Sequence, residues 1–155
     1  MQKITPSLWF DNQAEEAAKF YVSIFPNSKM GTVSRYGKEG FEVHKQPAGT
    51  AMVAPFELNG QPFIAFNGGP MFKFSEAISF TISCKDQEEI DHYWSKLTEG
   101  GQESRCGWLK DKFGLSWQVV PAILSQLMAD PQRSGRVMQA FLKMKKFDIQ
   151  QLMDA

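Results

Sequence analysis

The spacing of hydrophobic residues in the first half of the chain predicts a strand, a helix and further strands. Residues 4–10 are rich in β-branched and aromatic side chains, and the apolar residues that follow recur at helical spacing as far as Phe25. Asp11 or Asn12 is positioned to cap that helix. Three more apolar runs predict strands, at residues 29–36, 50–58 and 61–67, with a polar loop at 37–49 and a hairpin turn at Asn59-Gly60.

The second half of the chain begins with the same pattern. Ile78, Phe80 and Ile82 alternate with small polar residues, which predicts a strand over residues 77–84. Asp86 can cap the helix that follows, and Gly100-Gly101 ends it. Short strands are then expected near residues 103–110 and 115–120, joined by a turn at Asp111-Lys112.

The two predicted helices superimpose along the sequence. Phe20-Tyr21 falls on Tyr93-Trp94 and Ile24 on Leu97 at one constant offset. Since a repeat of this kind indicates duplicated modules, the sequence predicts an α+β fold. We expect paired βαβββ modules, residues 1–75 and 76–120, to form a curved mixed sheet around a cleft within a single domain.

Residues 121–155 predict a helical tail on that domain. Pro121 suits the first turn of one helix, and a second helix is expected to start at Asp130-Pro131. That second helix would carry Lys143, Lys145 and Lys146 in its last turn, where positive charge suits the helix dipole. The tail is expected to cover an exposed sheet or a neighbouring subunit, and we expect the protein to be a homodimer.

Composition narrows the class of partner. Seventeen basic residues balance seventeen acidic ones without a run of Lys or Arg, which argues against nucleic acid or an anionic membrane. No segment approaches the about eighteen apolar residues of a membrane span, and the first residues do not form a secretory signal. We therefore expect a cytoplasmic protein in which Cys84 and Cys106 are free thiols.

Six sequence motifs spread over nearly the whole chain form a recognisable set. They are Pro6–Phe25, Asn59–Phe63, Phe66–Pro70, Phe72–Phe74, Lys110–Trp117 and the tail segment Met144–Ile149. Together they resemble the PhnB-like family of the vicinal oxygen chelate superfamily, which also contains glyoxalase I, extradiol dioxygenases and bleomycin resistance proteins. The family's domain often carries the name demethylubiquinone methyltransferase. The resemblance implies paired βαβββ modules, in agreement with the repeat.

The resemblance also implies where a metal ion would bind, because metal-binding relatives place four ligands on four strands. By that analogy Gln118 stands in place of a glutamate ligand and Ser79 in place of a histidine, with Pro6 and Phe63 at the other two positions. Neutral amide and hydroxyl oxygens do not balance the charge of a divalent cation. We therefore expect a cleft without a metal and no other cofactor.

The residues expected to contact a ligand are two aromatic side chains, Phe63 and Trp108, and four polar ones, Asn67, Ser79, Cys106 and Gln118. By strand alternation Phe63 and Asn67 share a face. Ser116 and Gln118 share another, which leaves Trp117 for the core. Asn67 has an equally good explanation in the turn favoured by the Gly-Gly-Pro run after it.

His44 and Cys106 are weak candidates for catalysis. His44, in the polar loop, is either a mobile acid or base or a solvated side chain. Cys106 is either a nucleophile or a thiol in the pocket wall. His92 is expected at the surface of its helix. The chain has no GxGxxG motif after a strand, which argues against a methyltransferase of the Rossmann type.

The sequence therefore predicts binding of a small, partly aromatic or apolar molecule in a metal-free cleft. The alternative is a metal-independent enzyme that uses Cys106 or His44, or the methyl transfer implied by the family name. A structural or regulatory dimer without a ligand is a third class. The sequence identifies neither the ligand nor whether the modules pair within one chain or between two.

Overall fold

A computed structural model describes residues 2–155 of the chain. In these residues nine strands and six helices form two compact units, Met1–Lys73 and Phe74–Ala155. Each unit contains one mixed sheet with a helix packed on one face, so the predicted α+β class and its βαβββ modules are confirmed. No helix within residues 2–155 has the length and apolar character needed to span a membrane.

The first unit is built on a five-stranded sheet. Its elements are β1 (Ser7–Phe10), α1 (Ala14–Ile24), β2 (Lys29–Met30), β3 (Ser34–Arg35), α2 (Phe41–His44), β4 (Ala51–Leu58) and β5 (Gln61–Asn67). The strand order is β1-β5-β4-β2, with β3 also paired to β4, and β1 runs parallel to β5. Asn59 and Gly60 both have positive φ, 49° and 82°, as the predicted tight hairpin turn requires.

Two predictions for this unit need correction. The strand expected at residues 29–36 is split into β2 and β3, and the pairing of β3 with β4 shifts register between Ser34 and Arg35. The polar loop expected at residues 37–49 contains the short helix α2. The polar and glycine residues of these two segments do not specify a single strand register.

The second unit is built on a four-stranded sheet. Its elements are β6 (Phe80–Cys84), α3 (Gln87–Thr98), β7 (Gln102–Glu103), β8 (Trp108–Lys110) and β9 (Ser116–Pro121), in the order β6-β9-β8-β7. Asp86 caps α3 as predicted, since its carboxylate accepts the Glu89 N–H at 2.9 Å. The turn predicted at Asp111-Lys112 is also present, and Asp111 is buried there with its carboxylate accepting the N–H groups of Phe113 and Leu115.

The tail differs from its prediction. Its helices are α4 (Leu124–Ala129), α5 (Ser134–Phe141) and α6 (Ile149–Asp154). Pro121 is the last residue of β9 rather than part of a helix, and α5 ends before Lys143, Lys145 and Lys146. The helix α6 was not predicted, because its six residues are too few to give a periodic signal.

Hydrogen bonds to the backbone of the tail hold it against its own unit. The Gln87 side chain accepts the Ile149 N–H at 2.9 Å and donates to the Phe147 carbonyl at 2.9 Å. Gly107, at φ 81°, donates to the Lys145 carbonyl at 2.8 Å. A Cβ at position 107 would lie 2.6 Å from the Phe147 ring, so only glycine allows this close approach.

Candidate functional site

The sheet of the second unit has one face covered by α3 and one face turned away from it. Ile82, Leu109, Trp117 and Val119 are buried on the side of α3. Because neighbouring residues on a strand point to opposite faces, the other face carries Trp108, Lys110, Ser116 and Gln118, with Ser79 at the start of β6. We call these five residues the open face of the second sheet. The prediction that Trp117 is a core residue is confirmed, since it is 2% exposed.

Gln118 and Ser79 are hydrogen-bonded on this open face. The Gln118 Nε2 donates to Ser79 Oγ at 3.0 Å, and Trp108 lies directly opposite Gln118 in the antiparallel pair β8–β9. Within residues 2–155 the Gln118 Oε1 and the Trp108 indole N–H have no protein partner. The open face therefore offers an unused acceptor and an unused donor beside one aromatic ring.

A small cavity lies beside Trp108, and Gln118 and Ser79 are not among the residues that line it. It has a volume of about 140 Å³, and Trp108, Lys110, Ser116 and Glu76 are among the side chains that line it. Ser116 is 1% exposed, and its hydroxyl is the single buried side-chain oxygen or nitrogen in the described part of the chain that lacks a hydrogen-bond partner. An unpaired buried hydroxyl costs about 1–3 kcal/mol, so a bound group that pairs with it would gain free energy.

An ion pair stands at the edge of this cavity. Lys110, which lies opposite Ser116 in the β8–β9 register, pairs through its Nζ with the Glu76 carboxylate. The hydrogen bond from Lys110 lowers the pKa of Glu76, and a backbone hydrogen bond and the lysine charge add to that effect. Because the side chains of Lys110 and Glu76 are 37% and 60% exposed, solvent screens the pair and it is readily exchanged.

Cys106 contacts the tail of the chain. It adopts a left-handed conformation at φ 56° in the turn between β7 and β8. Its N–H donates to the Met144 carbonyl at 2.9 Å, and its thiol donates to the Phe141 carbonyl at 3.6 Å. These contacts give Cys106 a structural role and leave its predicted ligand contact without support from the geometry.

Both cysteines are free thiols, as predicted. Cys84 is fully buried at the end of β6. Burial, together with the nearby carboxylates of Glu89 and Asp86, raises the pKa of Cys84 to about 12. A thiol held in its protonated form in this way is not a nucleophile near neutral pH.

Phe63 lies in the core of the first unit, on the face opposite to the one predicted. It is 7% exposed and stacks on Phe56 at a ring-centroid distance of 5.3 Å, and Phe56 stacks in turn on Tyr21 of α1. Its neighbour Ile64, partly exposed, is the residue on the other face of β5. The predicted ligand contact of Phe63 therefore has no support from the geometry, since neighbouring residues on a strand point to opposite faces.

Asn67 is buried on the same helix-facing side of β5, and both ends of its amide are used within the protein. Its Oδ1 accepts the Ala14 N–H at 2.8 Å, and its Nδ2 donates to the Ala51 carbonyl at 2.9 Å. Asn67 therefore satisfies the first amide of α1 from a distant strand, in place of the predicted cap at Asp11 or Asn12. With 1% of its surface exposed, its amide is committed to the fold.

His44 is held at the end of α2. Its Nδ1 accepts the Gln46 N–H at 2.9 Å, so its Nε2 carries the proton and donates to the Glu39 carbonyl at 2.8 Å. The ring also packs on Tyr36 with centroids 4.5 Å apart. Both nitrogens are therefore occupied, which argues against the mobile acid or base. His92 is exposed on α3 as predicted.

The residues on the open face do not fit a divalent metal ion. The two side chains at the expected ligand positions, Ser79 and Gln118, are neutral and are bonded to each other. In residues 2–155 no three side chains of His, Cys, Asp or Glu come together in a group that could hold an ion. A hard cation requires anionic oxygen and zinc requires imidazole or thiolate, and the two neutral side chains supply none of these ligands.

Three residues of this site were missed by sequence reasoning: Glu76, Lys110 and Ser116. A signal existed for Ser116, because it shares a strand face with Gln118. Lys110 becomes part of the site only through the pairing of β8 with β9. Glu76 lies outside any strand or helix, and no pattern in the sequence places it beside Lys110.

Comparison with known proteins gives a family match and several structural matches. A family model described as 3-demethylubiquinone-9 3-methyltransferase matches residues 2–120. A solved structure titled putative 3-demethylubiquinone-9 3-methyltransferase, PhnB protein, from Bacillus cereus is 38% identical, with a TM-score of 0.70, covering 78% of this chain and 100% of the other. No curated protein matches the chain.

Two more distant structures share the fold alone. Protein PA1353 from Pseudomonas aeruginosa is 19% identical, with a TM-score of 0.63, covering 78% of this chain and 98% of the other. The fosfomycin resistance protein FosX from Listeria monocytogenes is 16% identical, with a TM-score of 0.51, covering 81% of this chain and 94% of the other. The matched part of the chain contains both βαβββ modules, and the family match ends before the tail.

Proposed function

The chain belongs to the 3-demethylubiquinone-9 3-methyltransferase family, and on this premise we propose that it binds a small, partly aromatic molecule on the open face of its second sheet, without a metal ion. The observation that carries the proposal is the neutral pair of Gln118 and Ser79, hydrogen-bonded at 3.0 Å, with Trp108 directly opposite. By the analogy with metal-binding relatives the pair stands at two ligand positions, and its neutral dipoles suit the polar substituents of an organic ligand.

The open face supplies each part of such a site. The Trp108 ring provides apolar contact and an indole N–H that a ligand oxygen can accept. The Ser79 hydroxyl accepts from Gln118 and keeps its own proton to donate, while the Gln118 Oε1 accepts from a ligand hydroxyl. A ring that bears two oxygen substituents would use all three groups.

The family description supports an aromatic ligand. 3-Demethylubiquinone is a ring with several oxygen substituents, which is the class of molecule that an indole and two neutral dipoles recognise. The Bacillus cereus relative is likewise described as a putative 3-demethylubiquinone-9 3-methyltransferase. We therefore propose oxygen-substituted aromatic rings as the ligand class.

Methyl transfer is the second candidate, and the family description favours it. Such a reaction requires a methyl donor and a group that removes the proton of the acceptor hydroxyl. The two residues considered for catalysis have other roles, since Cys106 contacts the tail and both nitrogens of His44 are hydrogen-bonded. Binding without turnover is therefore the first proposal.

The tryptophan side chains provide a direct test of the binding site. The indole N–H groups of Trp9, Trp94 and Trp117 are bonded to Gly69, Glu103 and Asp111, whereas that of Trp108 has no protein partner in the described residues. Titration with 2-methoxyphenol, followed by ¹H–¹⁵N NMR, is expected to shift the Trp108 indole signal and to leave the other three in place.

Two variants sharpen this test. Gln118→Leu is expected to weaken 2-methoxyphenol binding about fivefold to tenfold, which is the effect of about one lost hydrogen bond. Ser83→Ala, a change to an exposed residue of β6 that is not one of the five open-face residues, is the matched control and should bind as the unmodified chain does. An unchanged Trp108 signal at millimolar 2-methoxyphenol would overturn the proposal. A methylated product on addition of S-adenosylmethionine would establish the second candidate.

Homodimer formation, expected from the sequence, stays a prediction. Three apolar side chains of the tail are more than 40% exposed, Met138, Leu142 and Met153, and exposed apolar side chains suit contact with another subunit. Light scattering should give twice the 17.6 kDa of the chain if the prediction is right.

A further inference from the structure

The unpaired hydroxyl of Ser116 indicates that a ligand atom belongs beside it. Ser116 is 1% exposed, lines the cavity of about 140 Å³, and has no hydrogen-bond partner. Buried polar groups in proteins are nearly always paired. An unpaired hydroxyl in the wall of a cavity therefore indicates that a ligand in the cavity supplies a hydrogen-bond acceptor.

Lys110 is the only basic residue in the lining of this cavity, and it stands opposite Ser116 on the neighbouring strand. Directly opposed side chains of an antiparallel pair lie about 5 Å apart at their Cβ atoms. The ammonium of Lys110 and the hydroxyl of Ser116 can thus donate to the same group. The next opposed pair along these strands is Trp108 and Gln118, so an aromatic contact lies beside the charged one.

From this arrangement we propose that the ligand is an aromatic carboxylate, with its ring against Trp108 and its carboxylate bound by Lys110 and Ser116. The inference rests on the proposed function, which it makes more specific. A cavity of about 150 Å³ holds one benzene ring, so the volume of about 140 Å³ suits one ring with a small substituent.

Two carboxylates line the cavity and could repel a bound carboxylate. The Glu103 Oε1 accepts the indole N–H of Trp94 at 2.8 Å, so this carboxylate is already engaged with α3. Glu76 is the present partner of Lys110 and is largely exposed. The ligand carboxylate replaces Glu76 on Lys110, which exchanges one negative charge for another and adds the hydrogen bond from Ser116. Glu76 is then a competitor of the ligand.

Benzoate and its neutral analogue benzamide test the proposal, with the Trp108 indole signal as the measure of binding. A charge-assisted hydrogen bond contributes more than a neutral one, so the unmodified chain is expected to bind benzoate about tenfold more tightly than benzamide. Lys110→Met should remove this preference and leave benzamide binding unchanged. Ser116→Ala should weaken benzoate binding about fivefold.

Glu76→Gln provides the decisive result, because it should change the affinity in the opposite direction. Removing the competitor is expected to strengthen benzoate binding about threefold, whereas a merely structural ion pair would make Lys110→Met and Glu76→Gln weaken binding alike. Lys96→Met, at an exposed position on α3 outside the cavity, is the control for loss of one positive charge.

The outcomes separate this inference from the proposed function. Equal binding of benzoate and benzamide, both shifting Trp108, would overturn the carboxylate assignment and leave the proposed function standing. A Trp108 signal that moves with neither compound nor with 2-methoxyphenol would overturn both. Weaker benzoate binding by Glu76→Gln would also overturn the exchange of Glu76 for the ligand.

Discussion

The two sheets share one framework and differ in the face that their helix leaves uncovered. Leu8 and Phe10 in β1 correspond in burial to Ile82 and Cys84 in β6, so Ser7 corresponds to Thr81. Ser7 pairs with Ile64 and Thr81 pairs with Gln118, which makes Ile64 the counterpart of Gln118.

The uncovered face of the first sheet is more apolar around Ile64 than that of the second sheet is around Gln118. Trp9, Phe66 and Ile64 occupy the first, whereas Ser79, Ser116 and Gln118 occupy the second. The buried faces are alike because they determine the fold, and burial of apolar area dominates stability. The uncovered faces do not have to bury apolar area against a helix, so their residues can differ. Only the second sheet carries the polar side chains of the candidate site there.

The two helices also differ in what satisfies their first amides. The α1 helix depends on Asn67, a buried residue 53 positions away from Ala14, whereas α3 has its own exposed cap, Asp86. The hydrogen bond that satisfies the start of α1 is therefore buried and comes from a distant residue, whereas the one at the start of α3 is exposed and comes from the adjacent cap. Substitution of each hydrogen-bond acceptor tests this difference between the two helices.

Asn67→Ala is expected to have the largest effect. It leaves the Ala14 N–H and the Ala51 carbonyl unpaired in a buried place, at about 1–3 kcal/mol each. We expect the free energy of unfolding to fall by about 3 kcal/mol in urea titration. A loss no larger than that of Asp86→Ala would contradict the distinction between the two helices.

The second unit should lose stability at alkaline pH through Cys84, whose counterpart in the first unit is Phe10. Burial raises the pKa of Cys84 from 9.0 to about 12, so its contribution is complete below pH about 9 and is lost as the pH rises toward 12. At pH about 10.5 the loss is about 2 kcal/mol.

Urea titration at several pH values, with and without Cys84→Ala, measures this loss. The variant should lack the Cys84 part of the alkaline decline. Tyr93, whose pKa is also raised by burial, contributes in the same direction and remains in both chains. An identical pH dependence of the two chains would assign the loss to groups other than Cys84.

Asp86→Ala is expected to cost about 1 kcal/mol, the usual value for loss of a helix cap. The Glu89 N–H that loses its acceptor lies near the surface and can bond to water instead. Thermal unfolding followed by circular dichroism measures the change. Asp86→Asn should restore most of the stability, because the Asn side chain also caps.

Ser116→Ala is expected to have the smallest effect on stability, within about 0.5 kcal/mol and in the stabilising direction, because the gain from removing an unpaired hydroxyl is largely offset by the packing contacts of the lost oxygen. The comparison is with Ser23→Ala, which removes a hydroxyl bonded to the Phe20 carbonyl at 2.6 Å. A loss above 1 kcal/mol for Ser116→Ala would show that the hydroxyl has a partner in solution.

The periodic parts of the fold could be predicted from the sequence because their signals are local. The strand at residues 61–67 has the bounds of β5, and Asp86 caps the helix for which it was predicted. The cap of α1 could not be predicted, since Asn67 reaches it only through the parallel pairing of β1 with β5.

The candidate site was half predictable for the same reason. Ser79, Gln118 and Trp108 lie on one face as strand alternation requires. Phe63 was placed on the wrong face, because analogy fixed its position without a register. The Lys110–Glu76 pair depends on a segment without regular structure, and its position is a property of the tertiary fold.

Gly107 couples the sequence of the second sheet to that of the tail. A methyl group at this position would strike both the Phe147 ring and the Val119 carbonyl, so substitution at 107 and retention of the tail exclude each other. Without the tail the clash with the Phe147 ring would disappear, whereas the Val119 carbonyl and the positive φ of 81° would still favour glycine at 107. An aromatic residue at 147 is therefore expected only in chains that have glycine at 107.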